Sequence, residues 1–160
     1  KILAIYQPKI QLFIVPFADL QKQIIMNIPA EYRILIMRRL FFKIAENIAK
    51  HNSYQALITG DSLGQVASQT VENLTVINQA VEILKFSPLI GANKKDIIKI
   101  AKNISTLDIS NRPYEDCCSL FIARHPQTRA RLSNVLKLEK NLSLPDLDKI
   151  IFKSYYISNN

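Results

Sequence analysis

The order of short apolar runs and longer amphipathic segments is the feature that most limits how this chain can fold. Two short runs rich in β-branched and aromatic residues, 10–16 and 54–59, are typical of buried strands. Between them, the segment 31–51 has apolar side chains at spacings of three and four, which predicts a long amphipathic helix. These residues are Ile34, Met37, Leu40, Phe41, Ile44, Ala45 and Ile48. Because strands separated by helices favour parallel crossovers, the pattern predicts an α/β fold with a parallel sheet flanked by helices.

The same alternation continues along the second half of the chain. A helix is predicted from about residue 65 to residue 81, a third strand within 82–88, and an amphipathic helix over 94–103. Helicity is predicted to resume over 128–140, and the apolar and aromatic segment 146–157 is predicted to form a closing helix. With 160 residues, 48% of them apolar, and no marked linker or internal repeat, we expect one compact domain.

Charge and cysteine placement indicate the cellular setting. The formal net charge of +8 favours binding of polyanions such as nucleic acid. Cys117 and Cys118 are adjacent, so their Cα atoms lie about 3.8 Å apart, closer than a relaxed disulfide requires. No apolar stretch approaches the roughly 20 residues needed to cross a bilayer. We therefore expect a cytoplasmic protein that does not span a membrane.

The stretch TGDSLGQVASQTVENL, residues 59–74, contains two of the chain's three glycines. A strand that ends in glycine and leads into a helix presents free N–H groups at the carboxyl edge of a sheet, where nucleotides bind. The alternative is structural: Gly60 forms a tight turn, and Asp61 or Ser62 caps the helix. The stretch matches neither GxGxxG nor GxxxxGK[ST], so the residues alone leave both interpretations open.

Three blocks in order carry a resemblance to a known family: TGDSLGQVASQTVENL, SPLIGANKKDIIKIAKNI and RPYEDCCSLFIARHPQTR. With LFIVPFADLQKQI and EYRILIMRRLFFKIAENIA, they resemble the C-terminal half of the catalytic domain of tRNA 4-thiouridine synthetases over residues 3–132. The resemblance implies part of an adenine nucleotide alpha hydrolase-like (PP-loop) fold. It implies ATP-dependent adenylation of tRNA uridine 8, followed by sulfur transfer from a persulfide. Mg²⁺ is the usual counter-ion of the ATP, and no metal bound by the chain itself is expected.

The family's SGGxDS phosphate loop and its N-terminal THUMP RNA-binding domain have no counterpart in these residues. The resemblance therefore implies that residues 1–140 are the C-terminal part of the nucleotide-binding and sulfurtransferase domain, that 141–160 are a helical tail, and that this segment alone is inactive. The implied partners are tRNA, a cysteine desulfurase as persulfide donor, and the missing N-terminal portion of the same enzyme. Some relatives also supply sulfur for the thiazole of thiamine, and the residues do not separate the two outputs.

The resemblance also implies which residues contact ATP. It places these contacts at Arg38 in the long helix, at Gly60 and at Gln69. Arg39 is the alternative to Arg38, because either guanidinium can pair with phosphate. Asp61 stands where most relatives have glutamate, and we assign it no catalytic role.

For sulfur and RNA, the resemblance places the persulfide carrier at Cys117, with Cys118 as the alternative. A persulfide carrier must form a thiolate, which nearby cations favour and nearby carboxylates oppose. Backbone contact with tRNA requires positive charge rather than sequence-specific shape, and the candidate residues are Arg124, His125, Arg129 and Arg131. The other function that the composition permits is a noncatalytic basic RNA-binding module with a degenerate nucleotide-binding fold.

Overall fold

The computed structural model describes residues 2–7, 9–113, 121, 123–144 and 153–158. Helices in these ranges are α1 (Ile2–Tyr6), α2 (Ala18–Asn27), α3 (Ala30–His51), α4 (Val71–Asn78), α5 (Lys94–Asn103), α6 (Leu107–Ser110) and α7 (Leu132–Glu139), with a 3-10 turn at Ala67–Gln69. The strands are β1 (Lys9–Ile14), β2 (Ala56–Ile58), β3 (Leu84–Phe86) and β4 (Lys153–Ser158). No helix within the described ranges is both long and apolar enough to cross a membrane.

The predicted parallel pairing is confirmed for β2 and β3. Ala56 lies opposite Leu84 and Ile58 opposite Phe86, and α4 connects the two strands in the chain. Such a crossover places a helix against the strands that it joins. The α/β class predicted from the order of elements is therefore confirmed, and the helix predicted over 94–103 is α5 with the same bounds.

Strand β1 does not belong to this parallel sheet. It pairs antiparallel with β4, from Lys9 opposite Ser158 to Ile14 opposite Lys153, and none of its six residues is buried. The strand predicted over 10–16 is therefore confirmed as β1, but the prediction that it is buried is wrong. The closing helix predicted over 146–157 is wrong from residue 153 onward, because the aromatic and β-branched KSYYIS segment favours a strand when a partner strand is available. Residues 145–152 lie outside the described residues.

The centre of the core is α3, which packs against α2, α4, α7 and β2. The predicted helix is confirmed, and Met37, Leu40 and Ile44 of the predicted spacing are buried. Phe41 of the same spacing is 41% exposed, whereas Leu35 and Ile36, which lie outside it, are at most 1% exposed. Burying such side chains contributes about 1.5–3 kcal/mol each to stability. The core is completed by side chains from the surrounding elements, namely Ile24, Ile28, Val76, Ile77, Phe121, Val135 and Leu142.

The helix predicted over 65–81 begins later than expected. The chain first forms the 3-10 turn at Ala67–Gln69, and α4 starts at Val71. Thr70 is the N-cap, since its hydroxyl accepts a hydrogen bond from the backbone N–H of Asn73 at 3.2 Å. A side chain that caps a helix in this way sets its first turn, which hydrophobic spacing alone does not locate. The helix predicted over 128–140 is likewise shorter and spans Leu132–Glu139.

Candidate functional site

The candidate site lies at the carboxyl ends of the two parallel strands. Directly after β2, the backbone N–H of Thr59 donates to the carbonyl of Phe86 at 2.9 Å, which extends the pairing by one residue. The hydroxyl groups of Thr59 and Ser87 are 2.9 Å apart. This edge is the position at which open α/β sheets bind ligands, and Gly60 and Asp61 follow immediately.

The side chains of Arg38, Thr59 and Gln69 surround the carboxylate of Asp61, and we call these four residues the Asp61 cluster. Arg38 donates from Nη2 to Oδ1, Gln69 donates from Nε2 to Oδ1 at 3.3 Å, and Thr59 donates from Oγ1 to Oδ2 at 3.0 Å. The side chains of Arg38 and Asp61 are 17% and 9% exposed. Arg38 comes from α3 and Gln69 from the 3-10 turn, so one carboxylate joins three segments of the chain.

Asp61 is the residue of this cluster to which the sequence interpretation assigned no catalytic role. An acid directly after a strand-ending glycine was the available signal, but the local sequence offered Asp61 only as an alternative helix cap. The hydrogen bond from Arg38, 23 residues earlier in the chain, cannot be read from the local sequence. The structure brings together Arg38, Gly60 and Gln69, the three residues that the resemblance connected with ATP. Arg38 and Gln69 meet because both donate to the Asp61 carboxylate, and Gly60 directly precedes Asp61 in the chain.

Arg38 retains hydrogen-bonding capacity within the described part of the chain. Its Nη2 donates to Asp61, and its Nη1 donates to the backbone carbonyl of Ser68 at 3.3 Å. A guanidinium has five N–H donors, and these contacts use two of them. Arg38 is thus held in place on one side while keeping donors for an anionic ligand.

A cavity of about 280 Å³ opens beside Gly60. Its wall includes Arg38 and Phe41 from α3 and residues 57–61. Gly60 is exposed, its φ lies outside the left-handed region, and a Cβ added there would meet no described atom within 4 Å. Neither backbone conformation nor crowding within the described residues therefore requires glycine at this position. The open space above the Gly60 Cα allows a ligand to approach the main chain.

The turn that requires glycine is formed by Gly64 instead. Its φ of +74° lies in the left-handed region, and its N–H donates to the carbonyl of Gln69 at 2.8 Å. The hydroxyl of Ser62 donates to the carbonyl of Ala92 at 2.8 Å. Asp61 is occupied by its three side-chain partners, and Thr70 caps α4. The structural interpretation, with a cap from Asp61 or Ser62, is therefore wrong.

Arg39, the alternative to Arg38, has a different environment. Its side chain is 2% exposed and donates from Nε to Glu139 at 2.7 Å and from Nη1 to the carbonyl of Val76. Lys43 also contacts the same carboxylate at 3.0 Å. Burial would raise the pKa of Glu139, but the hydrogen bonds and charges of Arg39 and Lys43 outweigh it and hold the pKa below its ordinary value. Arg39 thus fastens α7 to α3 and is directed away from Asp61.

A second cavity, of about 550 Å³, lies between α3 and the segment 123–131, which we call the basic loop. Its lining includes Arg38 from α3, Ser68 from the 3-10 turn, and Phe121, Pro126 and Gln127. The backbone N–H of Gln127 donates to the carbonyl of Glu31 at 3.1 Å, which attaches the loop to the first turn of α3. The second cavity therefore adjoins the Asp61 cluster through Arg38.

The four residues considered for RNA contact are exposed on this loop: Arg124, His125, Arg129 and Arg131. Arg129 lies 3.8 Å from the carboxylate of Glu72, but both side chains are largely exposed and such pairs contribute little. Cys117 and Cys118 lie outside the described residues. No group of three His, Cys, Asp or Glu side chains that could hold a metal ion occurs among the residues described.

Comparison with known proteins relates the chain to one family. Residues 1–144 match the family described as "Thiamine biosynthesis protein (ThiI)". A "Probable tRNA sulfurtransferase" of Thermoanaerobacter sp. (strain X514) is 49% identical over 89% of this chain and 37% of the relative. A protein of the same description from Thermus thermophilus is 46% identical over 94% of this chain and 37% of the relative. The chain thus spans little more than a third of the length of these relatives.

A solved structure is also similar. It is described as "Crystal structure of a 4-thiouridine synthetase - RNA complex with bound ATP", and it is 36% identical to this chain with a TM-score of 0.84. The match covers 94% of this chain and 40% of that one. The structural similarity therefore covers nearly the whole of this chain.

Proposed function

Since the chain belongs to the ThiI family, we propose that it forms part of a tRNA uracil 4-sulfurtransferase with the length of its curated relatives. The observation that carries the proposal is the convergence of Arg38 and Gln69 on Asp61 beside Gly60, at the carboxyl edge of the parallel sheet. In the proposed reaction, O4 of tRNA uridine 8 attacks the α-phosphorus of ATP, which releases pyrophosphate. The adenylated uracil is then open to attack at C4.

The Asp61 cluster supplies the ATP-binding side of this reaction. Arg38 pairs with phosphate through the donors that Asp61 and Ser68 leave available. Gly60 allows the nucleotide to approach the main chain, because the space above its Cα is open. Gln69 both donates and accepts hydrogen bonds. Mg²⁺ accompanies the phosphates as their counter-ion.

Sulfur transfer is assigned to Cys117, with Cys118 as the alternative carrier. The terminal sulfur of the Cys117 persulfide attacks C4, and AMP leaves with the former O4. Reduction of the resulting disulfide by thiols then releases 4-thiouridine and restores the cysteine thiol. A cysteine desulfurase supplies the persulfide, and an N-terminal portion, consistent with the greater length of the relatives, supplies the rest of the nucleotide site.

The basic loop supplies the contact with tRNA. Its cationic side chains are exposed, and they adjoin the ATP side of the site across the second cavity. Phosphate contacts require positive charge and fix the register of the RNA rather than its sequence. The candidate residues are Arg124, His125, Arg129 and Arg131.

The proposal is tested with the full-length protein, unmodified tRNA, ATP, cysteine and a cysteine desulfurase. Mass spectrometry of the digested tRNA should detect 4-thiouridine that disappears when ATP or the desulfurase is omitted. Cys117→Ser should abolish the product, and Cys118→Ser should retain it. Thiolation that proceeds normally in the Cys117→Ser variant would remove the role given to that residue.

A second candidate function is favoured by the net charge of +8 and the exposed basic loop. As a noncatalytic RNA-binding module, the protein would bind tRNA with an affinity that falls steeply with salt, as every phosphate-dominated complex does. The two functions differ in product. Binding of tRNA that is unchanged in Cys117→Ser and yields no 4-thiouridine favours the module.

Sulfur supply for the thiazole of thiamine is a further output of the same chemistry, and loss of growth without thiamine in a deletion strain would support it.

A further inference from the structure

Asn73 connects two segments that are more than 50 residues apart. Its side chain is fully buried in the first turn of α4. Its Nδ2 donates to the carbonyl of Ala67 at 2.7 Å and to the carbonyl of Gln127 at 2.8 Å. Its Oδ1 accepts from the backbone N–H of Ala130 at 3.0 Å. One amide therefore fixes the 3-10 turn and the basic loop at the same time.

Each of the two segments carries part of the proposed site. In the 3-10 turn, Ser68 accepts from Arg38 and Gln69 donates to Asp61. The basic loop carries the cations considered for RNA contact. Thr70 adds a second link to that loop alone, since its hydroxyl donates to the carbonyl of Thr128 at 2.7 Å.

Helix propensity does not explain why asparagine occurs at position 73. Asparagine has low helix propensity because its side chain competes for backbone hydrogen bonds, and a fully buried position at the edge of the core would accommodate an apolar residue. Both of its N–H donors and its oxygen are used by main-chain atoms. Such a side chain specifies the separation of two backbone segments, since each bond requires a defined position of its partner.

We propose that Asn73 is a positioning residue that holds the ATP-contacting turn Ala67–Gln69 and the RNA-contacting loop 123–131 at a fixed separation. The inference rests on the proposed function, because it takes ATP and tRNA as the two ligands. Asn73 touches neither ligand. It acts through Ala67 on the ATP side, and through Gln127 and Ala130 on the RNA side.

The test compares four variants of the full-length protein. Asn73→Asp keeps the shape but replaces both N–H donors with a carboxylate oxygen that faces the carbonyls of Ala67 and Gln127. Asn78→Asp adds the same charge at an exposed position of the same helix. Thr70→Val removes the link to Thr128 and the cap of α4 but leaves the three hydrogen bonds of the Asn73 side chain, whereas Thr70→Ser keeps the hydroxyl that links and caps. For each variant, Kd for ATP, Kd for unmodified tRNA and kcat for thiolation are measured, with amide hydrogen exchange of residues 66–70 and 123–131.

Asn73→Asp should raise both Kd values at least about fivefold, because two hydrogen bonds are lost and a buried carboxylate is left against two carbonyl oxygens. It should lower kcat on the order of 100-fold, because small displacements of reacting groups are costly. Exchange should increase in both segments. Thr70→Val should raise Kd for tRNA while Kd for ATP stays within about twofold. Asn78→Asp and Thr70→Ser should resemble the wild type in every measurement.

The proposal is overturned if folded Asn73→Asp keeps both Kd values and kcat within about twofold of the wild type, or if only one ligand is affected. If Asn73→Asp does not fold, Asn73→Ala is measured in its place, because it removes the same side-chain hydrogen bonds without adding a charge. Unchanged Kd values for both ligands in that variant overturn the proposal. If the wild type forms no 4-thiouridine, the proposed function fails. The two Kd values and the exchange measurement then still decide whether Asn73 positions both segments.

Discussion

Replacing Asp61 with asparagine should separate the binding role of the Asp61 cluster from its role in folding. Asp61→Asn keeps the size and shape of the side chain but removes its negative charge. The carboxylate accepts hydrogen bonds from Arg38, Gln69 and Thr59. An asparagine keeps one acceptor oxygen and turns the other position into a donor, so it cannot accept from all three.

The free energy lost in Asp61→Asn depends on how deeply the ion pair between Arg38 and Asp61 is buried. Exposed ion pairs contribute about 0–1 kcal/mol, and breaking a fully buried pair costs about 3–5 kcal/mol. The side chains of Arg38 and Asp61 are 17% and 9% exposed, which places the pair between these two limits. We therefore expect a loss of about 2 kcal/mol, which corresponds to a factor of about 30 in an equilibrium constant.

Because Asp61 orients Arg38 toward the cavity beside Gly60, most of this loss should appear in ATP binding. KM for ATP in the thiolation assay should rise about 10-fold to 30-fold, while the urea midpoint of the full-length protein changes modestly. Asp108→Asn removes an exposed carboxylate from α6 and should leave both quantities unchanged. An Asp61→Asn protein with normal KM for ATP would refute the reasoning that Asp61 organises this site.

Four further outcomes follow from the structure. Arg38→Met should raise KM for ATP at least tenfold, whereas Arg39→Met should lower the free energy of unfolding by about 3–5 kcal/mol. If both variants had equal effects on KM and on unfolding, the assignment of Arg38 to ATP binding and Arg39 to stability would be wrong. The pKa of Glu139 is lower in the folded protein than in the unfolded chain. Ionised Glu139 therefore stabilises the fold fully above its ordinary pKa, and this contribution is lost as pH falls through the pKa of the folded state. The gap in unfolding free energy between wild type and Glu139→Gln should thus shrink from pH 7 toward pH 3 in urea titrations, and a constant gap would count against the ion pair. Gly60→Ala should leave the urea midpoint unchanged but weaken ATP binding, which calorimetry would measure. Gly64→Ala should destabilise the protein by about 1–2 kcal/mol through its positive φ, and unaltered stability would contradict that strain.

Periodicity was a good guide where local sequence and packing agree. The spacing of apolar residues located α3, and Asn93 provides the cap that starts α5 at Lys94, where the pattern predicted it. The parallel pairing of β2 and β3 followed from strands separated by a helix. The residues that the resemblance connected with ATP also come together, although periodicity gives no information about their side-chain contacts.

Contacts between distant residues were not accessible to the same reasoning. Arg38 and Arg39 are adjacent and chemically identical, yet one faces Asp61 and the other meets Glu139, 100 residues away. The partner of β1 is a C-terminal strand whose apolar residues also suited a helix. The start of α4 is set by Thr70 rather than by hydrophobic spacing. In each case a tertiary partner decides between local alternatives of similar energy.

The most direct test of the proposed function measures 4-thiouridine in tRNA from a bacterial strain whose own tRNA sulfurtransferase gene is deleted. The strain would receive the full-length gene as wild type, Arg38→Met or Cys117→Ser, with protein levels matched by immunoblotting. We expect the wild type to restore 4-thiouridine, Cys117→Ser to give none and Arg38→Met to give much less than wild type. Absence of 4-thiouridine with well-expressed wild-type protein, or full restoration by both variants, would contradict the assignment of this chain to a tRNA sulfurtransferase that works through these residues.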